Sequence, residues 1–109
     1  MYVHKNVFFR DIPVMMRGRL IKGIRRDRQI SPVYFLFLGT SEDEEMEIIS
    51  SLLYYSPISG ERKDRLLIGI ARDKSSAFEL ARYLTEKMYN ELRRVDFKAF
   101  YGEMFKRER

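Results

Sequence analysis

The chain has 109 residues, which is the size of one domain. It contains no cysteine and one histidine, which excludes disulfides, thiolate metal sites, iron–sulfur clusters, a cysteine nucleophile and a His-x-x-x-His metal pair. The net charge is +5, and the shares of charged residues (34%) and hydrophobic residues (45%) are those of a folded domain. We therefore predict a single domain over residues 1–109.

The sequence contains no segment typical of a membrane span or a secretory signal. Its longest apolar run, residues 32–38, is far shorter than the roughly 20 residues that cross a bilayer. The first residues lack a basic stretch followed by a long apolar one. We therefore expect a soluble, cytoplasmic protein without a membrane span.

Charge is distributed unevenly along the chain. Residues 1–30 carry eight basic and two acidic side chains, whereas residues 31–60 carry five acidic and no basic ones. The densest basic stretch covers residues 17–28 and contains one acid, Asp27. Its cations are Arg17, Arg19, Lys22, Arg25, Arg26 and Arg28.

The N-terminal third is predicted to be rich in β-structure. Residues 2–9 contain the aromatic and β-branched side chains that favour a strand. Residues 14–24 are largely apolar but include Gly18 and Gly23, each of which costs a helix about 1 kcal/mol. We interpret this segment as a strand or hairpin, with a helix as the alternative. Residues 33–38 form an unbroken apolar run and predict a strand buried on both faces.

The segment that follows has signals for both helix and strand. Thr40 or Ser41 can cap a helix, and the acids after them favour its positive end, so we predict a helix over at least 42–50. Residues 52–55 are good strand formers, and a turn rich in Ser, Pro and Gly separates them from the apolar run Leu66–Ala71. This arrangement predicts a hairpin, and a helix leading into a short strand satisfies both signals.

The C-terminal part has the strongest helical pattern. Ser76 and Glu79 have capping-box spacing. One apolar stripe then predicts a helix of about 20 residues, near 30 Å long, through Ala77, Ala81, Leu84, Met88, Leu92 and Val95. A second stripe, in a new phase, predicts a second helix or a helix extension with Phe97, Phe100, Tyr101, Met104 and Phe105.

These elements predict the fold class. We expect one α+β domain with a β-rich N-terminal half, built as an antiparallel sheet or small barrel. A long C-terminal helix and a second helix or helix extension complete it.

Catalytic and metal-binding patterns are missing. His4 is the one side chain that ordinarily titrates near neutral pH, and no nucleophile or orienting carboxylate is spaced to work with it. The acids at 42–47 lack the pattern of a calcium loop, and residues 39–41 lack a phosphate-loop motif. We predict no catalytic residue, no metal and no cofactor, so the chain is not expected to be an enzyme.

Two features can bind partners. The six cations of the 17–28 stretch can neutralise phosphates of nucleic acid or of another anionic ligand, with Tyr2, Phe8 and Phe9 as stacking surfaces. Alternatively, these cations form a solvated face or pair with the acids at 42–47. The stripe at 97–105 either packs on its own sheet or forms a dimer or partner interface, because interface cores favour Tyr, Phe and Met.

The order of elements over residues 33–90 resembles a known family. It consists of a strand (33–38), Leu-Tyr-Tyr-Ser-Pro (53–57), Ser-Gly (59–60), Leu-Ile-Gly-Ile (67–70) and a helix. This order resembles the second half of PilZ-type domains, which are small β-barrels ending in a long hairpin and a helix. The predicted helix over 42–50 departs from that pattern, because a barrel strand belongs there.

The ligand motifs of PilZ-type domains are missing from this chain. Members that bind cyclic di-GMP carry Arg-x-x-x-Arg, and the nearest match here is Lys22-x-x-x-Arg26. Of the second motif, (Asp/Asn)-x-Ser-x-x-Gly, only Ser31 is present. The resemblance therefore implies a degenerate member that acts through protein contacts.

Our favoured hypothesis from the sequence is a small non-catalytic binding or regulatory module. It acts through a protein partner or as a homodimer through the 97–105 stripe. The alternative is a basic nucleic-acid-binding domain that uses the 17–28 stretch.

Overall fold

The computed structural model describes residues 2–28, 31–38, 46–56 and 65–93. In chain order, these residues form β1 (Tyr2–Arg10), α1 (Val14–Arg25), β2 (Tyr34–Leu38), β3 (Met46–Ser50), α2 (Ser51–Tyr54), β4 (Leu66–Ala71) and α3 (Lys74–Leu92).

The four strands form one mixed sheet in the order β1-β4-β2-β3. β1 runs parallel to β4, and the pairs β4–β2 and β2–β3 are antiparallel. Every residue of β4 is buried, as expected for a strand with partners on both edges and helices on both faces. The predicted α+β class is confirmed, and its sheet includes one parallel pair.

In the described part of the chain, α1 and Tyr54 of α2 cover one face of the sheet and α3 covers the other. Alternate side chains of a strand point to opposite faces, so neighbouring strand residues enter different cores. On one face, Leu20 of α1 packs in a cluster with Phe35 and Phe37. On the other face, Leu36 belongs to a cluster with Leu84 of α3. The outward side of α1 and the outward side of α3 therefore look away from each other.

Residues 14–25 form helix α1, so the predicted strand or hairpin over 14–24 is wrong and the alternative is correct. Met16, Leu20 and Ile24 recur every four residues and pack on the same core, which offsets the helix cost of two glycines. Gly18 lies on the exposed side, with no heavy atom within 4 Å of where a Cβ would stand.

The predictions for residues 46–55 are also wrong. Residues 46–50 are strand β3, paired with β2, and Ser51–Tyr54 is the short helix α2. Ser50 caps α2, since its hydroxyl accepts the Leu53 N–H at 3.2 Å. Residues 52–55 form no hairpin with β4, because the partners of β4 are β1 and β2. Residues 41–45 lie outside the described residues.

The predicted C-terminal helix is confirmed as α3, with a different cap. Its N-cap is Asp73, whose carboxylate accepts the Ser76 N–H at 2.8 Å. The helix ends at Leu92, and Arg93 takes a left-handed conformation with φ of 60°. The predicted second helix or extension lies outside the described residues.

Candidate functional site

The outward side of α1 carries a cluster of basic side chains. Because Leu20 and Ile24 are buried against the sheet, the opposite side of the helix faces solvent. The exposed cations there and in the turn that follows are Arg19, Lys22, Arg25, Arg26 and Arg28. We call these five residues the basic face.

Part of the basic face forms a straight row along the helix. Met15, Arg19, Lys22 and Arg26 follow one another at steps of four, three and four, which places them along one line of the helix. Seven residues separate Arg19 from Arg26, so the cations of this row extend over about 10 Å. Met15, 90% exposed, lies at the N-terminal end of the row.

No cation of the basic face forms an ion pair with an acidic side chain of the described residues. Glu47, the one acid of the 42–47 run that the structure describes, pairs with Arg65 at 2.7 Å. The exposed Arg82 and the half-buried Lys87 of α3 pair with acids one turn away on their own helix. Among the described residues, the cations of the basic face therefore have no acidic partner, whereas Arg82 and Lys87 of α3 each have one.

The helix dipole explains only part of the basic face. Lys22 and Arg25 lie in the last turn of α1, where positive charge stabilises a helix by about 0.3–1 kcal/mol. Arg19 lies in the middle of the helix and gains nothing from the dipole, which acts within the terminal turns. Helix stability therefore does not account for the whole row.

Arg17 belongs to the predicted anion-binding set, but the structure gives it a different environment. Its Nε donates to the carbonyl oxygen of Ile12 at 3.1 Å. Its guanidinium lies 5.0 Å from the centre of the Phe9 ring, within range of a cation–π contact. Arg17 therefore fastens α1 to the end of β1, and the basic face consists of five cations rather than six.

Phe8 and Phe9, two of the three predicted stacking aromatics, pack within the protein, and the side chain of Tyr2 lies outside the described part. Phe8 and Phe9 point to opposite faces of the sheet. Phe8 makes an edge contact with Tyr83 of α3, with ring centres 6.2 Å apart, and Phe9 is covered by Arg17. Neither ring is presented beside the basic face as a stacking platform.

The predicted interface stripe (Phe97, Phe100, Tyr101, Met104 and Phe105) lies outside the described residues. The helix before it exposes three aromatic side chains that the sequence analysis did not single out: Tyr83, which contacts Phe8, and the pair Phe78 and Tyr89. Phe78 is 56% exposed and Tyr89 is 51% exposed. Their offset of eleven residues places both on one side of α3, a spacing visible in the sequence.

The carboxyl ends of β1 and β4 form a second polar cluster. The helices after these parallel strands cover opposite faces of the sheet, and such a place often binds ligands in open α/β sheets. Here the chain fills it with its own contacts. The Ser76 hydroxyl donates to the Asp11 carboxylate at 2.5 Å, and Arg10 pairs with Glu79 at 3.1 Å.

These contacts fasten the start of α3 to the end of β1. The hydrogen bond from the Ser76 backbone N–H lowers the pKa of Asp73 below its usual value. Each polar group of the cluster has a partner from the chain, so the cluster has a structural role.

An open pocket of about 320 Å³ lies on α3 beside Tyr83, Lys87 and Asn90, whereas two other candidate sites are small or enclosed. The cavity beside Leu20 and Ser51 measures about 10 Å³, the space of a single water. His4 is 3% exposed, and its Nδ1 accepts the Asn6 backbone N–H at 3.0 Å. Within the described part of the chain, no three His, Asp or Glu side chains are placed to hold a metal ion. None of the described helices has the length and apolar character to cross a membrane.

Comparison with family models, with curated proteins and with solved structures gives no match to this chain. The resemblance to PilZ-type domains stays a prediction, because none of these comparisons tests it.

Proposed function

We propose that this chain is a non-catalytic module that binds nucleic acid through the basic face. The observation that supports this most is the placement of five exposed cations on the outward side of α1 and in the turn after it, with no acidic partner among the described residues. Lys and Arg held this way neutralise phosphates and release the condensed counterions, which is the main source of affinity in sequence-independent binding.

The way α1 is held favours this function. Leu20 and Ile24 anchor one side of the helix in the core, and Arg17 fastens its first turn. The cationic side chains therefore project from a backbone that does not have to become ordered when a ligand binds. The buried His4 supports the non-catalytic part of the proposal, because its ring is not presented to a substrate.

Charge reversal tests the proposal. Arg25→Glu combined with Arg26→Glu should abolish binding of fluorescent DNA and RNA oligonucleotides at about 50 mM salt, because two phosphate contacts become repulsive. The matched control is Arg82→Glu, which reverses an equally exposed cation on α3 and should leave affinity unchanged. Failure of the native protein to bind any oligonucleotide at this salt concentration would sink the proposal.

Substitutions of Arg17 and Arg19 distinguish a structural arginine from a ligand-binding one. Arg17→Ala should lower the free energy of unfolding by about 1 kcal/mol, through loss of the contacts with Ile12 and Phe9. Arg19→Ala should leave stability within about 0.5 kcal/mol and weaken nucleic-acid binding instead. A reversed pattern in urea denaturation and anisotropy would contradict the roles given to the two arginines.

A second candidate function is a module that binds a protein partner or a second copy of the chain. The exposed Phe78 and Tyr89 favour it, because aromatic side chains are enriched in the centres of interfaces. Tyr89→Glu and Phe100→Glu should each convert a dimer into a monomer in light scattering. A native protein that is already monomeric at high concentration excludes self-association.

A further inference from the structure

The composition of the basic face indicates which form of nucleic acid it fits. We infer that the ligand is a double-stranded nucleic acid, contacted through its phosphates and without sequence preference. This inference rests on the proposed function and narrows it to one ligand class.

The first argument is the lack of a stacking surface. Proteins that bind single strands combine cations with exposed aromatic rings on which successive bases stack. Residues 14–28 contain no aromatic side chain, and the nearby Phe9 has its ring covered by Arg17. The exposed rings Phe78 and Tyr89 belong to α3, on the opposite side of the sheet. A single strand on the basic face would gain no stacking.

The second argument is the chemistry of the side chains. Residues 14–28 contain no Asn, Gln, Ser or Thr, so adenine-reading amides and hydroxyl contacts to bases are missing there. What remains is a majority of cations with one acid, Asp27, and the apolar side chains of Val14 and Met15 at one end. Arg and Lys contact the sugar–phosphate backbone, which positions a protein on nucleic acid without reading sequence, and the base they are able to read is guanine.

The third argument is charge density. B-form DNA carries one negative charge per about 1.7 Å of its axis, so a length of about 10 Å holds about six charges, twice the number on one strand. Each neutralised phosphate contributes a salt slope of about 0.9 on a duplex and about 0.7 on a single strand. The straight row from Arg19 to Arg26 therefore gains more counterion release on a duplex.

A membrane surface fits the basic face less well. Peripheral amphipathic helices insert their apolar side among the lipids. The apolar side of α1 is buried against the sheet, which leaves Val14 and Met15 as its exposed apolar groups. Duplex nucleic acid needs no such insertion.

The test compares three fluorescent probes against the full chain in about 50 mM salt: a mixed-sequence duplex of about 20 base pairs, an oligo(dT) strand of equal length, and anionic phosphatidylserine vesicles. We assume about four phosphate contacts and equal affinity for the two nucleic acids at about 1 M salt. The steeper salt dependence on the duplex should then make it bind about tenfold more tightly than the single strand at about 50 mM salt. Duplexes of different sequence should bind within about twofold of one another.

Two variants assign the binding to the basic face. Lys22→Glu should weaken duplex binding at least as much as the loss of one phosphate contact, and Arg25→Gln gives the same test with a smaller change of charge. Arg82→Gln, on α3, should leave affinity unchanged. Circular dichroism spectra matching the native one confirm that each variant is folded.

The outcomes separate this inference from the proposed function. Equal or tighter binding of oligo(dT) overturns the duplex inference and leaves nucleic-acid binding standing. Binding to neither nucleic acid overturns both, as does capture by vesicles alone. Duplex binding that survives Lys22→Glu and Arg25→Gln places the contacts elsewhere and overturns the inference.

Discussion

Gly69→Ala tests how closely α3 packs on the sheet. A Cβ at position 69 would lie 2.8 Å from Leu80 Cδ2 and 3.4 Å from Leu36 Cβ. Ordinary carbon contacts are about 3.5–4.0 Å, so the Leu80 side chain or the helix has to move by about 0.7 Å or more. Overpacking of this kind costs about 1–3 kcal/mol, and the lower entropy of the unfolded alanine chain returns about 0.4–1 kcal/mol. We expect a net loss of about 1–2 kcal/mol in the free energy of unfolding.

The assay is urea denaturation followed by circular dichroism, arranged as a double-mutant cycle with Leu80→Ala. Leu80 is 2% exposed, so its truncation alone should cost about 2–5 kcal/mol. In that background the methyl group added at position 69 fills vacated space, so the second substitution should be neutral or stabilising. The expected coupling energy is about 1–2 kcal/mol.

Gly18→Ala is the matched control. Gly18 lies in a helix, and no heavy atom stands within 4 Å of the place that an added methyl group would take, so alanine there should stabilise the protein by about 1 kcal/mol. An equal effect of Gly69→Ala in the native and Leu80→Ala backgrounds would refute the close contact as the cause. So would a loss of stability of similar size at both glycines.

Two further predictions concern buried and capping polar groups. Ser51→Ala should lower the free energy of unfolding by about 1–3 kcal/mol, because the Ser51 hydroxyl accepts the buried Val33 N–H at 2.9 Å and alanine leaves that donor unsatisfied. The control Ser75→Ala, at an exposed serine, should change stability by no more than about 0.5 kcal/mol. Equal losses of stability in urea denaturation would contradict the role given to Ser51. Asp73 has a lowered pKa in the folded state because its carboxylate accepts the Ser76 N–H at the start of α3. The ionised carboxylate therefore stabilises the fold fully above its ordinary pKa, and this stabilisation is lost as pH falls through the lowered pKa of the folded state. Asp73→Asn keeps a capping side chain without that titration, so it should lose less stability than the native protein between pH 7 and pH 3, and parallel losses would contradict the assignment.

Local sequence signals predicted β1, β2 and α3, because each has a long or unambiguous apolar pattern. They failed for α1, where two glycines argue against a helix and the compensation comes from burying Leu20 and Ile24 against strands distant in sequence. Local signals also did not predict β3 or the partners of β4, because strand pairing depends on segments that are distant in the sequence. β4 pairs with β1, more than fifty residues earlier in the chain, and not with the segment just before it.

The candidate site was predictable in composition but not in geometry. Charge counting located the 17–28 stretch, and it could not distinguish the stacked Arg17 from the exposed Arg19. That distinction depends on which side of α1 faces the sheet, which requires both the helix and its partner strands. The row from Met15 to Arg26 is likewise visible only once the segment is known to be helical.

The salt dependence of duplex binding tests the central claim most directly. With three to five phosphate contacts, a plot of log K against log salt should have a slope of about −2.7 to −4.5. Arg19→Gln combined with Lys22→Gln should flatten that slope by about 1.8, and Arg82→Gln should leave it unchanged. A slope near zero, or one that the paired substitutions do not alter, would contradict binding through the basic face.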